Sequence, residues 1–145
     1  MSSKARALVR TASVLVFLMA ALQFVYGLYA YVDPAAFSVT RGTELFAGQD
    51  ADWVRIYASR TLFIALLIGY LLYAQQFRIL AVASLLGVVM PITDAVLAYQ
   101  ASATDGVVLK HVATAMFLVV TFVVLCVIVR RENGAQPALQ VDGGY

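Results

Sequence analysis

Four apolar runs dominate this chain and leave it few ways to fold. They cover Ala12 to Val32, about Ile56 to Ala74, Ile79 to Tyr99 and Val107 to Val129. The first has no charge; the others carry Arg60, Asp94, and Lys110 with His111. Each run has about the 20 residues a helix needs to cross a hydrocarbon core of about 30 Å. Membrane strands need only about 10 residues and alternate in polarity. These runs do not alternate, so the expected fold is all-α: a four-transmembrane-helix bundle. Composition agrees. Of 145 residues, 63% are hydrophobic and only 12% charged, about half the charge of a soluble domain. Lipid removes the need to hide that surface.

The first run follows Lys4, Arg6 and Arg10, as a signal peptide would. It is longer than an h-region of 7–15 residues and no clean A-x-A site follows, so it reads as a retained helix. The link Gln75 to Arg78 and the stretch Ala101 to Gly106 are short, which predicts antiparallel hairpins for helices 2–3 and 3–4. The connection 33–55 is long. In it Asp33-Pro34 reads as a cap and first helical residue of a short surface helix. Asp50 or Asp52 can cap an early start to helix 2, and Trp53 with Tyr57 then forms an aromatic pair at the water–lipid boundary. Ala65 with Gly69, and Ala83 with Gly87, are small-residue pairs that let helices approach. The chain from Glu132 to Tyr145 reads as a disordered tail, leaving residues 1–131 as one membrane domain.

Orientation follows from the basic residues. Lys4, Arg6, Arg10, Arg78, Arg130 and Arg131 fall on one side; Arg41, Arg55 and Lys110 fall on the other. The positive-inside rule makes the first side cytoplasmic, with both termini in and the loop 33–55 out. The expected place is the cell membrane.

Several functions are excluded. A net charge of +2 gives no hold on nucleic acid. One cysteine, Cys126, allows neither an internal disulfide nor a CxxC motif, and it reads as a packing residue. A single histidine argues against a haem or multi-His metal site within one chain. No mid-depth lysine offers a retinal Schiff base, no glycine loop offers a nucleotide site, and charge rings for a pore require an oligomer. No cofactor is expected. The expected partners are membrane lipids and a lipophilic small molecule, with a homo-oligomer or a membrane complex as further options.

Polar groups inside the membrane are costly and mark function or internal pairing. Here they meet at one depth. At 1.5 Å per residue, Asp94 lies ~7.5 Å in from Tyr99, His111 ~6 Å in from Val107, Arg60 up to ~12 Å from Asp52 and Gln23 ~12 Å from Tyr31. Gln23 with Tyr26, and Tyr57 with Arg60, share helix faces at i, i+3. Pro91 frees the Gly87 carbonyl and bends helix 3, and the Thr93 hydroxyl is placed to help satisfy freed backbone. One reading makes Arg60 and Asp94 a structural ion pair with His111 bonded to either. The other makes the cluster a site: Asp94 and His111 as acid and base, with Arg60, Tyr57, Gln23 and Tyr26 binding the ligand. Lys110 reads as snorkelling to the interface, and Tyr29, Tyr31, Tyr70, Tyr73 and Tyr99 as belt residues.

The order Asp33-Pro34, a long loop, Val54-Arg55-Ile56-Tyr57-Ala58-Ser59-Arg60 and then Gly69 resembles a family of small four-helix bacterial and fungal membrane proteins. These are grouped as domains of unknown function near the DoxX-like proteins. The resemblance covers about residues 12 to 129. It implies that an arginine opening helix 2, an aspartate late in helix 3 and a histidine early in helix 4 matter: Arg60, Asp94 and His111. The family often has a glycine before the arginine, where this chain has Tyr-Ala-Ser. It brings no settled activity. DoxX relatives imply quinone or thiol chemistry, to which one cysteine gives little support.

Three functions remain in view. The first is binding, with acid–base isomerisation, cyclisation or epoxide opening of a small lipophilic molecule. The second is a non-catalytic subunit of a membrane complex. The third is an oligomeric transporter or channel. The topology has a direct check. Cysteine-accessibility labelling of Gly48→Cys and Gly134→Cys is expected to place them on opposite sides; labelling on one side overturns the topology.

Overall fold

The computed structural model describes residues 3–135, with side chains to 131. Among these residues there are six helices and no strand: α1 (Ser3–Val32), α2 (Pro34–Arg41), α3 (Asp50–Tyr73), α4 (Phe77–Gly87), α5 (Val89–Gln100) and α6 (Asp105–Ala135). α4 and α5 are halves of one span, Phe77–Gln100. With α1, α3 and α6 this makes four helices long and apolar enough to cross a membrane. In each span only 22% of the most apolar stretch is buried inside the bundle. The rest faces outward, which is stable only against lipid or another apolar surface.

Local signals place the helix ends. Asp33 caps α2: its Oδ1 accepts the Ala36 N–H at 3.0 Å, and Pro34 takes the first position, where its missing N–H costs nothing. α3 starts early, at Asp50, but neither acid caps it as expected. The Asp50 carboxylate folds back onto the Phe46 and Ala47 N–H groups, and Asp52 pairs with Arg55 at 3.1 Å. The third span breaks at Val88, three residues before Pro91. There the Val88 N–H turns to Leu85, at 3.3 Å, and Pro91 lacks the N–H that would hold the Gly87 carbonyl. The Thr93 hydroxyl donates to Val89 instead of Gly87. α6 runs on to Ala135; the remainder of the stretch read as a disordered tail, 136–145, lies outside the described residues.

The bundle is two helix pairs. α3 packs along the length of α1, α4 and α5 pack along α6, and α1 meets α6 to join the pairs. α3 and α4 touch only modestly, and α3 is scarcely in contact with α5. The 2–3 hairpin is therefore antiparallel but splayed, because the dominant partner of α3 is α1. The larger core, built on Val16, Leu80, Phe77, Leu118 and Leu125, fills the end near the chain termini. A smaller core of Ala30, Phe37 and Ala58 lies under α2 at the loop end, flanked by Tyr26, Tyr29, Val54 and Tyr57. Buried Ser84 and Thr121 donate to carbonyls four residues back at 2.8 Å, so neither hydroxyl is left unpaired in an apolar core.

The glycine that sets the α1–α3 approach is Gly27. A Cβ there meets Leu62 Cγ at 2.9 Å, whereas at Gly69 it meets nothing within 4 Å. Gly69 is thus a groove-lining residue rather than a contact. Gly27→Leu is expected to cost about 1–3 kcal/mol by overpacking, read as a lower thermal midpoint in detergent. Gly69→Leu is expected to leave the midpoint unchanged.

Candidate functional site

The site is organised by the C-terminus of α2. A helix end leaves its last carbonyls without partners. Here Gly42 takes a left-handed conformation, φ 88°. The Gly42 N–H then bonds Val39 at 3.0 Å and the Thr43 N–H bonds Ser38 at 3.0 Å, the paired bonds of a Schellman cap. The next two carbonyls are capped from another span. Lys110 Nζ donates to the Thr40 carbonyl, and His111 Nε2 donates to the Arg41 carbonyl at 3.1 Å. The Lys110 ammonium at the negative end of a helix is favourable on electrostatic grounds as well. Lys110 therefore does not snorkel outward; it bridges α6 to α2.

That docking carries Arg41 inward. Its guanidinium forms an ion pair with Asp94 on α5 and lies over the Tyr57 ring, 4.6 Å from the centroid, a cation–π contact. The side chains of Arg41 and Asp94 are 23% and 16% exposed, so the pair is shielded but not dry. His111 is 8% exposed, with Nδ1 3.9 Å from Asp94 Oδ2. Because Nε2 carries the proton donated to Arg41, Nδ1 is the nitrogen left to gain or lose a proton, and it faces the carboxylate. Phe37 completes the wall. It stands edge-on to Tyr26 and Tyr29, at 6.1 and 5.7 Å, and tilted against Tyr57 at 5.7 Å.

These groups line one cavity of about 180 Å³ between the spans. Its polar wall is Gln23, Tyr26, Tyr57, Lys110, Thr114 and the Arg41–Asp94–His111 group; Leu22, Phe37, Met90 and Pro91 are its apolar wall. Among the described residues, the side chains of Gln23, Tyr26 and Tyr57 make no hydrogen bond. Their donors and acceptors are uncommitted.

Five of the six residues read as site residues from the sequence meet here: Gln23, Tyr26, Tyr57, Asp94 and His111. Tyr57 is not a belt partner for Trp53, because it turns inward onto Phe37 while Trp53 stays exposed. The sixth, Arg60, is corrected. It sits one turn past Tyr57 on the exposed face of α3, and Asp94 pairs with Arg41 instead. Depth alone cannot tell which face of a helix a residue occupies. Arg41 was missed because the segment 33–55 counted as an external loop. A signal existed: Arg41 is the last residue before Gly42 in a segment already marked as a helix by Asp33-Pro34, and glycine there reads as a helix stop.

The chain matches the family described as Domain of unknown function (DUF4267) over residues 20–125, and it belongs to that family. The match spans Gln23 through His111, and with them every residue of the cavity wall. No curated protein and no solved structure matches the chain.

Two stability tests follow. Arg41→Gln strands Asp94 and is expected to cost roughly 2–4 kcal/mol, the lower part of the range for breaking a buried pair, since this pair is partly exposed. Arg60→Gln is expected to stay within about 0.5 kcal/mol of the parent. The reverse order would return Arg60 to the site. Gly42→Ala forces a Cβ to 2.8 Å from Val107 Cγ1 at positive φ; a loss of about 1–3 kcal/mol is expected, read by thermal unfolding in detergent.

Proposed function

We propose that this chain is a membrane-embedded binding protein for a small lipophilic molecule, held in the cavity between its spans. The observation that carries the reading is the pairing of an apolar wall with uncommitted polar groups. A structural polar cluster satisfies its members among themselves. Arg41 and Asp94 do so; Gln23, Tyr26 and Tyr57 do not, although all three line the cavity. Largely apolar sites with a few convergent polar groups are the usual form of a ligand pocket. On this reading the Arg41–Asp94 pair is scaffold, and Gln23, Tyr26 and Tyr57 are the ligand's partners. The distribution of Lys and Arg supports a cell-membrane topology with both termini cytoplasmic, which puts the cavity in the outer-leaflet half.

One observation favours chemistry as well as binding. His111 lines the cavity, and its Nδ1 lies 3.9 Å from Asp94 Oδ2. An imidazole fixed through Nε2 and backed by a carboxylate can take a proton from a bound C–H or O–H group and return it elsewhere on the same molecule. Isomerisation, cyclisation and epoxide opening all need such a transfer.

The test is mass spectrometry of small molecules co-purified with the detergent-solubilised protein. A stoichiometric lipophilic compound is expected, with occupancy falling at least tenfold in Gln23→Leu at an unchanged thermal midpoint. An empty protein that takes up no lipophilic probe would overturn the binding reading and leave a purely structural cluster.

A further inference from the structure

The charges of the cavity wall do not cancel. Arg41 and Lys110 contribute two positive charges and Asp94 one negative. Two other acids, Glu44 and Asp50, line a separate depression that shares Arg41, Phe37 and Tyr57 with the cavity. Glu44 is exposed, and the Asp50 carboxylate is already engaged by two backbone N–H groups. With His111 neutral, the wall keeps one net positive charge. An uncompensated charge within a membrane span is costly, so such charges find a counter-ion.

The uncommitted hydrogen-bonding capacity has the same bias. An ammonium has three donors, and Lys110 engages one on the Thr40 carbonyl. A guanidinium has five, and Arg41 directs Nη2 at Asp94. Tyr26, Tyr57 and Gln23 can each donate as well as accept, so they serve an acceptor-rich head group while the bias itself comes from Lys110 and Arg41. The ligand these groups satisfy is rich in acceptors and carries one negative charge.

Size and surroundings set the rest. The volume of about 180 Å³ is close to that of a cavity that holds benzene, about 150 Å³. It takes a head group and a few carbons, not a whole lipid. Beyond it, α5 scarcely touches α1 or α3, and the side chains of Met90 on α5 and Leu22 on α1, which line the cavity, are also part exposed on the bundle surface. A longer chain has a way out to the lipid between these spans.

We propose that the cavity takes a single-chain, singly charged anionic amphiphile, with its head on Lys110 beside Gln23, Tyr26 and Tyr57 and its chain passing Leu22 and Met90 towards the lipid. This rests on the binding reading above and adds the charge class of the ligand.

The experiment compares decanoate with decanol on the full chain in a neutral detergent, by calorimetry and by shift of the thermal midpoint. The measurements are made at about pH 8, well above the carboxylate range. Decanoate is expected to bind at least tenfold more tightly than decanol. Lys110→Gln is expected to abolish that preference while decanol binding persists. Lys110 also caps α2, so Thr114→Asp is the second variant: it adds a carboxylate to the same wall without removing the cap, and it too is expected to abolish the preference. Equal binding of both probes would overturn the charge class and leave the binding reading standing. Binding of neither would overturn both. A preference that survives in a folded Lys110→Gln or Thr114→Asp protein would show that the head lies elsewhere and overturn the proposal.

Discussion

The docking of α2 onto α6 is the interaction on which the loop end of this bundle depends. A helix of eight residues is too short to be stable alone. Its first turn is held by Asp33 and Pro34, and its last turn by Gly42 together with Lys110 and His111. Tyr29 adds a tie from α1, with its hydroxyl 3.2 Å from that of Thr40. Release of that last turn would withdraw Arg41 from Asp94, open the aromatic wall at Phe37 and remove one side of the cavity. Gly42 is the hinge of this arrangement. A Cβ at that position would meet Val107 at 2.8 Å and Ala103 at 2.9 Å, so the cap and the α5–α6 turn fit against each other only with glycine.

The cavity itself follows from the way the spans pair. The end near the termini is closed by a continuous core from all four spans. At the loop end, α2 inserts between α1 and α3 and draws them together through Phe37 and Ala58. Both halves of the third span, α4 and α5, follow α6 rather than α3. Space therefore opens between the two pairs, and polar groups surround it because that is where four helices can each present one without meeting lipid.

Lys110 and His111 are adjacent in sequence yet both turn towards α2. Neighbours on a helix point about 100° apart, so a single target can serve both only if it is broad. A helix terminus is broad: it offers several carbonyls around its rim. The same geometry fixes the histidine tautomer, since Nε2 is committed to a backbone acceptor. Structure and chemistry are joined at this residue. The nitrogen that docks α2 determines which nitrogen is left for proton transfer.

Run lengths alone determined four membrane-crossing helices, because the hydrocarbon thickness and the helical rise leave little freedom. Asp33-Pro34 marked the surface helix, and Pro91 the break in the third span, because both act through local backbone chemistry. Depth counting brought Gln23, Asp94 and His111 to one level for the same reason: rise per residue is constant. Only the tertiary structure decided which arginine answers Asp94. Arg60 fits Asp94 by charge and depth and Arg41 by charge alone, and the choice turns on helix rotation and on a loop helix folding back, both set by contacts distant in sequence. It also decided that α3 pairs with α1 through Gly27, not with α4 across the short link. A link fixes which ends are near; packing along the helices fixes which faces meet.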